Sequence, residues 1–149
     1  MPTIPSTTLS AIEAALRTRI DGITPSHEAG QASAWHYAED RDMPPSSLVP
    51  RLYSLQWSSP AVVPGGATGN SDTEASVALA IVVDYRAFRV EDLGWTVESD
   101  HWDLSDRIHD AWSQDLIPGM TFSESRGFEV DDTQRVAHLF TLHYMRARR

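Results

Sequence analysis

Neither cysteine nor lysine occurs anywhere in the 149 residues. Without cysteine there is no disulfide, no thiolate nucleophile and no thiolate-ligated zinc, and nothing reports the redox compartment. Without lysine, the phosphate-binding lysine of a Walker-type loop and every Schiff-base mechanism are excluded before a motif is sought. Long apolar runs are also missing. The longest, Val77 to Val83, is far below the roughly 20 residues that a membrane helix requires. The opening MPTIPSTTLS has no basic start and no apolar stretch, so a secretory leader is not expected and a soluble location is. Positive charge is scarce too: twelve Arg stand against twenty-one Asp and Glu, giving net charge -9 and a pI near 4.9. A field of that sign repels phosphate backbones, which argues against general nucleic-acid binding.

What remains is the composition of an ordinary globular protein, 41% hydrophobic and 22% charged, in a length that suits one domain spanning residues 1–149. Leu9, Ile12, Leu16 and Ile20 recur at three and four residues, the stripe of an amphipathic helix. Thr7 or Thr8 can cap it and Gly22 can stop it; Ser10 with Glu13 is a competing capping box that would start it later. Trp35 and Tyr37 suggest a short strand. Arg51, Tyr53, Leu55 and Trp57 alternate with Leu52, Ser54 and Gln56, which is strand periodicity. Residues 60–73 combine Pro, Gly, Ser and Asn and read as a flexible loop.

Glu74 to Phe88 carries the strongest strand signal, with Val77, Leu79, Ile81, Val83 and Tyr85 on one face. Its other face bears Ala78, Ala80, Val82 and Asp84, small enough for another layer or subunit to approach closely. Nine residues of strand, Val77 to Tyr85, span about 26 Å, enough to cross a domain of this size. From Asp100 to Trp112 the period becomes 3.6, with Leu104, Ile108, Ala111 and Trp112 as the stripe and Ser99 or Asp100 as the cap. Two strands follow, Phe122 to Val130 and Gln134 to Tyr144, joined by a turn at Asp131 to Thr133. In the second, Val136, His138, Phe140, Leu142 and Tyr144 share a face. The expected fold is therefore α+β: a mixed, largely antiparallel sheet of about four to five strands packed by two helices on one face.

Chemistry is harder to find. His101 and His109 lie eight residues apart on one helix, about 80° apart around its axis, and do not close a metal site by themselves. His138 and His143 fall on opposite faces of one strand, and the histidines read best as surface or core-edge residues. Asp100, Asp103, Asp106, Asp110 and Asp115 read as the solvated face of a helix, and Asp131 with Asp132 as a turn. No Gly-x-Ser-x-Gly elbow is present, and the Gly-rich stretch Pro64 to Gly69 lacks the context of a phosphate loop. No catalytic, metal or cofactor site is expected. Charge is distributed unevenly: Thr133 to Arg149 has four Arg and no acid, whereas Ser99 to Pro118 has five Asp against Arg107. Opposed patches of this kind can steer self-association, or simply face each other within one domain.

The order of these segments resembles the tail terminator family of long-tailed, non-contractile bacteriophages. The resemblance rests on the LSAIEAALRTRI helix, the RLYSLQW strand, the ASVALAIVVDYRAF strand, the HWDLSDRIHDAW helix and the closing VAHLFTLHYMR strand. It covers most of residues 8 to 146. It implies a compact subunit of two helices against a mixed sheet, non-enzymatic and structural, assembled as a hexameric ring that caps the tail tube, ends its polymerisation and forms the head-tail joining surface. The implied partners are further copies of the chain, the tail tube protein and a head-completion protein, with DNA only passing through the channel and no membrane or cofactor involved. The implied location is the virion, at the head-tail junction, after assembly in the host cytoplasm.

Because exposed Arg and Trp often dominate interfaces, Arg51, Trp57, Arg86, Arg89, Arg146, Arg148 and Arg149 are the candidate subunit or axial contacts. Two alternatives stand beside this reading. One is another head- or tail-completion connector. The other is a small hydrolase or ligand-binding domain using His101, Asp103 and His109, which predicts a deep polar pocket and histidines whose pKa values are displaced by specific neighbours.

Overall fold

The computed structural model describes residues 8–23, 35–38, 51–58, 61–62, 73–86, 88–113, 120–130 and 134–146. Helix α1 spans Leu9–Asp21. Thr8 is its cap, the hydroxyl accepting the Ala11 N–H at 3.2 Å, so the competing capping box is not used. At its end the Gly22 N–H returns to the Arg19 carbonyl. Ile12, Leu16 and Ile20 are fully buried, each worth about 1.5–3 kcal/mol of removed apolar surface.

The strands are β1 (Trp35–Tyr37), β2 (Arg51–Trp57), β3 (Ala61–Val62), β4 (Thr73–Asp84), β5 (Met120–Val130) and β6 (Arg135–Arg146), with helix α2 (Val90–Ser113) between β4 and β5. The sheet order is β1-β2-β4-β6-β5, and β3 pairs with β4 at Ala75 and Ser76. Only β1 with β2 is parallel; the other pairs are antiparallel. The sheet is therefore mixed and largely antiparallel with both helices on one face, as the patterning predicts, with one short strand more. That strand, β3, lies within the expected flexible loop 60–73; residues 63–72 and the expected turn at 131–133 lie outside the described residues.

Strand alternation decides the layers. Val77, Leu79, Ile81 and Val83 of β4 and Val136, Phe140, Leu142 and Tyr144 of β6 are buried against the helices. Ala78 is exposed and Ala80, Val82, Ala137, Leu139 and Thr141 are half-buried on the opposite face, which no described element covers.

Two boundaries lie four or more residues from expectation, while the start of β5 and the ends of β6 shift by one or two. Strand β4 ends at Asp84, not Phe88, because the Asp84 carboxylate accepts the Arg86 backbone N–H at 3.0 Å, a side-chain turn that bends the chain out of the ladder. Tyr85 stays aimed into the core: its N–H donates to the Gln134 carbonyl, and its own carbonyl accepts the Phe88 N–H. Gln134 adopts the left-handed region at φ 60°, held there by that contact and by its side-chain amide, which donates to the Tyr85 and Phe88 carbonyls. Helix α2 begins ten residues earlier than the predicted Asp100. The stripe continues backward through Val97 and Leu93, with Glu91 and Asp92 in the first turn where the helix dipole favours carboxylates. Asp100 is thus an interior residue of the buried stripe, not a cap.

Candidate functional site

The early start of α2 turns Asp100 and His101 toward the sheet, one turn before Leu104 and two before Ile108. Opposite them stand Arg51 at the start of β2, Tyr85 just after β4, His138 in the middle of β6 and Ser125 on β5. Strand register brings these together: His138 pairs with Ile81 on one side and Phe128 on the other, and Ser125 pairs with Phe140. Arg51, Asp100, His101 and His138 are all buried.

The six residues form a continuous hydrogen-bonded chain. Arg51 Nε donates to Asp100 Oδ2 at 2.7 Å, and the Tyr85 hydroxyl lies 2.8 Å from the same oxygen. Tyr85 Oη is 3.1 Å from His138 Nε2, His138 Nδ1 is 3.0 Å from His101 Nδ1, and His101 Nε2 is 2.6 Å from Ser125 Oγ. A buried guanidinium requires an ionised partner, so Asp100 accepts, and Tyr85 commits its one proton to it. The Tyr85 oxygen then accepts from His138 Nε2–H, which leaves His138 Nδ1 bare. His101 therefore carries its proton on Nδ1 and presents a bare Nε2 to the Ser125 hydroxyl, which donates. The four bonds from Ser125 to Asp100 all point inward, and Arg51 donates to the same carboxylate from the other end.

The electrostatics fit that assignment. Burial pushes the His138 pKa down to about 3, with His101 adding to the effect, and burial lowers His101 as well. Both imidazoles are neutral at pH 7, as the tautomer chain requires. Burial, with the Asp100 charge and hydrogen bond, pushes the Tyr85 phenol well above its ordinary value, so it remains a donor. Burial raises Asp100, opposed by the hydrogen bond and charge of Arg51 and by the Tyr85 hydroxyl. Asp100 Oδ1 is buried without a hydrogen-bond partner. The Arg51 guanidinium lies over Phe88 and Trp35, 5.0 and 5.7 Å from their ring centroids, so the ion pair is walled from water by aromatic rings.

At its outer end the chain opens into a groove between α2 and β5, of about 740 Å³, lined by Glu98, His101, Trp102, Ser125, Gly127 and Phe128. Trp102 is 59% exposed and Phe128 41%. His101 stacks on His138 and Phe140 with ring centroids 5.2 and 5.4 Å apart, which fixes its plane. Just beyond Ser125 the ladder carries a bulge: Ser125 pairs with Phe140 and Gly127 with Leu139, leaving Arg126 without a register partner, and Gly127 adopts φ 97°.

Several expectations need correction. His101 and His138 are not surface or core-edge residues; both are buried, because each sits on the apolar face of its element and finds a polar partner there. Asp100 does not belong to the solvated helix face. Arg51, offered as a subunit contact, is 0% exposed and is the internal counterion of Asp100. His101 meets His138 and Ser125, so the suggested grouping with Asp103 and His109 is not the one assembled; His109 is exposed and Asp103 half-buried. Of the other suggested contacts, Trp57 is half-buried against the core. The Arg86 side chain is exposed and bonds both Asp84 oxygens, which raises its pKa. Arg89 is exposed and Arg146 closes β6. Arg148 and Arg149 lie outside the described residues.

Sequence reasoning missed Ser125, Tyr85 and Arg51 as members of a site. A signal existed for three of the six: His138 shares its predicted face with four large apolar residues, and continuing the α2 stripe back from Leu104 reaches Asp100 and His101. No protein-family model matches the chain, and no curated protein sequence matches it.

Proposed function

We propose that the chain is a structural ring subunit of the tail-terminator type, whose copies close into a ring that caps a phage tail tube, stops its growth and offers a joining surface for the head. The observation that carries this is the uncovered face of the sheet. Strands β2, β4 and β6 present Leu52, Val82, Ala78, Ala80, Ala137 and Leu139 outward, and no described element packs on them. The side chains are short, so the floor is shallow. Across it runs an open groove of about 570 Å³ whose lining includes Ala78, Ala80 and Leu139, with Arg126 and Glu129 on its β5 side. A broad, shallow face that mixes small apolar side chains with polar ones such as Ser54, Gln56 and Thr141, rimmed by both signs of charge, is the kind of surface that meets another subunit. Trp95, 73% exposed on α2, offers a second contact. The two-helix, mixed-sheet layering agrees with the fold that the family resemblance implies.

The task assigned here is steric and interfacial. Ring closure requires that one surface meet a different surface of the next copy, and the contact geometry fixes the copy number. Mass measurement in solution with negative-stain imaging, alone and with purified tail tubes, tests the reading. Hexamers with a central hole, or caps on tube ends, are expected, and Ala80→Glu is expected to prevent both while leaving the thermal transition in place. A chain that neither forms rings nor binds tube ends refutes the proposal. Rings that bind the head side and ignore tubes identify another head- or tail-completion connector instead.

A further inference from the structure

We propose that Ser125 is an activated nucleophile, with His101 as its general base, for acyl transfer from a small neutral ester bound in the groove between Trp102 and Phe128. The inference does not depend on ring formation, because the groove lies on the helical side of the sheet, away from the uncovered face.

Three features of the geometry carry it. First, Ser125 Oγ is 2.6 Å from His101 Nε2, within the reach that nucleophile and base require. Second, the base is itself oriented: His101 Nδ1–H donates to His138 Nδ1, whose tautomer is set in turn by Tyr85 and Asp100. A third group that fixes the base's tautomer is the general logic of nucleophilic triads. Here the orienting group is a neutral imidazole whose far side connects, through one phenol, to a buried carboxylate. Third, Ser125 is exposed to the groove while the rest of the chain is buried. The bulge leaves Arg126, the residue after the nucleophile, without a register partner, and its backbone N–H is the donor we assign to the developing oxyanion. Trp102 and Phe128 form apolar walls for an acyl chain. Glu98 at the rim disfavours an anionic one.

The step balances without a cofactor. Ser125 Oγ bonds to the ester carbonyl carbon as its proton passes to His101 Nε2. The bond to the alcohol oxygen breaks, and that oxygen leaves with the proton from His101. Water, deprotonated by the same nitrogen, then releases the acid and restores the serine. Ser125 and His101 are the catalytic residues; His138 and Tyr85 are positioning residues.

The test treats the full-length chain with an alkyl fluorophosphonate, which bonds phosphorus to an activated serine with loss of fluoride, and maps the adduct by peptide mass. p-Nitrophenyl butyrate turnover is measured in parallel. The expected result is one adduct on Ser125, absent from Ser125→Ala and from chain unfolded in urea, and slowed at least tenfold in His101→Gln. His138→Gln is expected to alter the pH dependence of labelling as well as its rate. Ser125 lies on an exposed edge strand, so Ser125→Ala folds and keeps the comparison valid. No adduct on Ser125 in the native chain, adducts spread over several hydroxyls, or Ser125 labelling at equal rate in His101→Gln overturns the proposal. Failure here leaves the ring reading intact, and failure to form rings leaves this one intact.

Discussion

Acidification should weaken the fold through His138, and the size of the effect follows from its burial. In an unfolded chain a histidine takes up a proton near pH 6.5. In the folded chain His138 is held to about 3 by burial and by His101. Between those values the unfolded state binds a proton that the native state refuses, so stability is complete above 6.5 and falls as the pH drops toward 3. From pH 7.5 to 5.5 the loss from His138 alone is about 1.4 kcal/mol, and His101, shifted in the same direction, adds to it. Working above the pI of about 4.9 keeps the net charge negative and limits association. Urea unfolding at the two pH values reads the effect as a midpoint shift of roughly 0.7 M, for a slope near 2 kcal/mol/M. His138→Gln keeps a donor and an acceptor without titrating, and its pH dependence should be flatter by about that 1.4 kcal/mol. Equal losses in wild type and His138→Gln, or an imidazole nitrogen NMR titration placing His138 near 6 or above, would refute the reasoning.

Other perturbations of the same chain have definite signs. Arg51→Met leaves Asp100 buried without its counterion and should cost about 3–5 kcal/mol in chemical denaturation; adding Asp100→Asn, which removes the charge yet still accepts from Tyr85, should recover part of that loss. Tyr85→Phe deprives both Asp100 and His138 of a partner and should cost about 1–3 kcal/mol by the same measurement, with little change in far-UV circular dichroism. Two glycines within described elements, Gly94 in α2 and Gly127 in β5, should respond oppositely to alanine. Gly94 lies inside α2 with open space where a Cβ would stand, so Gly94→Ala should stabilise by about 0.5–1 kcal/mol. Gly127 also has open space but sits at φ 97°, so Gly127→Ala should destabilise by roughly 1 kcal/mol or more. A thermal melt showing both changes with the same sign would contradict the backbone argument.

The site was only partly legible in the sequence, and the reason differs from residue to residue. His138 lay on a strand face with Val136, Phe140, Leu142 and Tyr144, so alternation alone placed it inside; only the assumption that histidines prefer the surface moved it out. Asp100 was misplaced because Ser99 and Asp100 make a good helix cap by composition. Tertiary packing of Leu93 and Val97 extends the helix past that signal, and the capping preference of one residue is small against one buried and one partly buried apolar side chain. Arg51 opens a strand whose inward face was correctly read, yet nothing local reveals that a guanidinium there meets a carboxylate 49 residues away. Ser125 stands in a strand of weak alternation whose bulge shifts the register, and residue type gives no hint that it faces an imidazole.

The sequence by itself determined the elements and the sidedness of most of them. Helical and strand periods are set by local backbone stereochemistry, and apolar residues at those periods can be buried in only one way. Two helices on one face of a mostly antiparallel sheet, with β4 and β6 turned inward at alternate residues, follow from that alone. Only the tertiary structure decided which polar residues meet. Arg51, Tyr85, Asp100, His101, Ser125 and His138 come from four separate elements and the turn after β4, and their alignment depends on strand register and on where α2 begins. A hydrogen bond forms or fails over a few tenths of an ångström, a precision that no pattern of residue types along the chain contains.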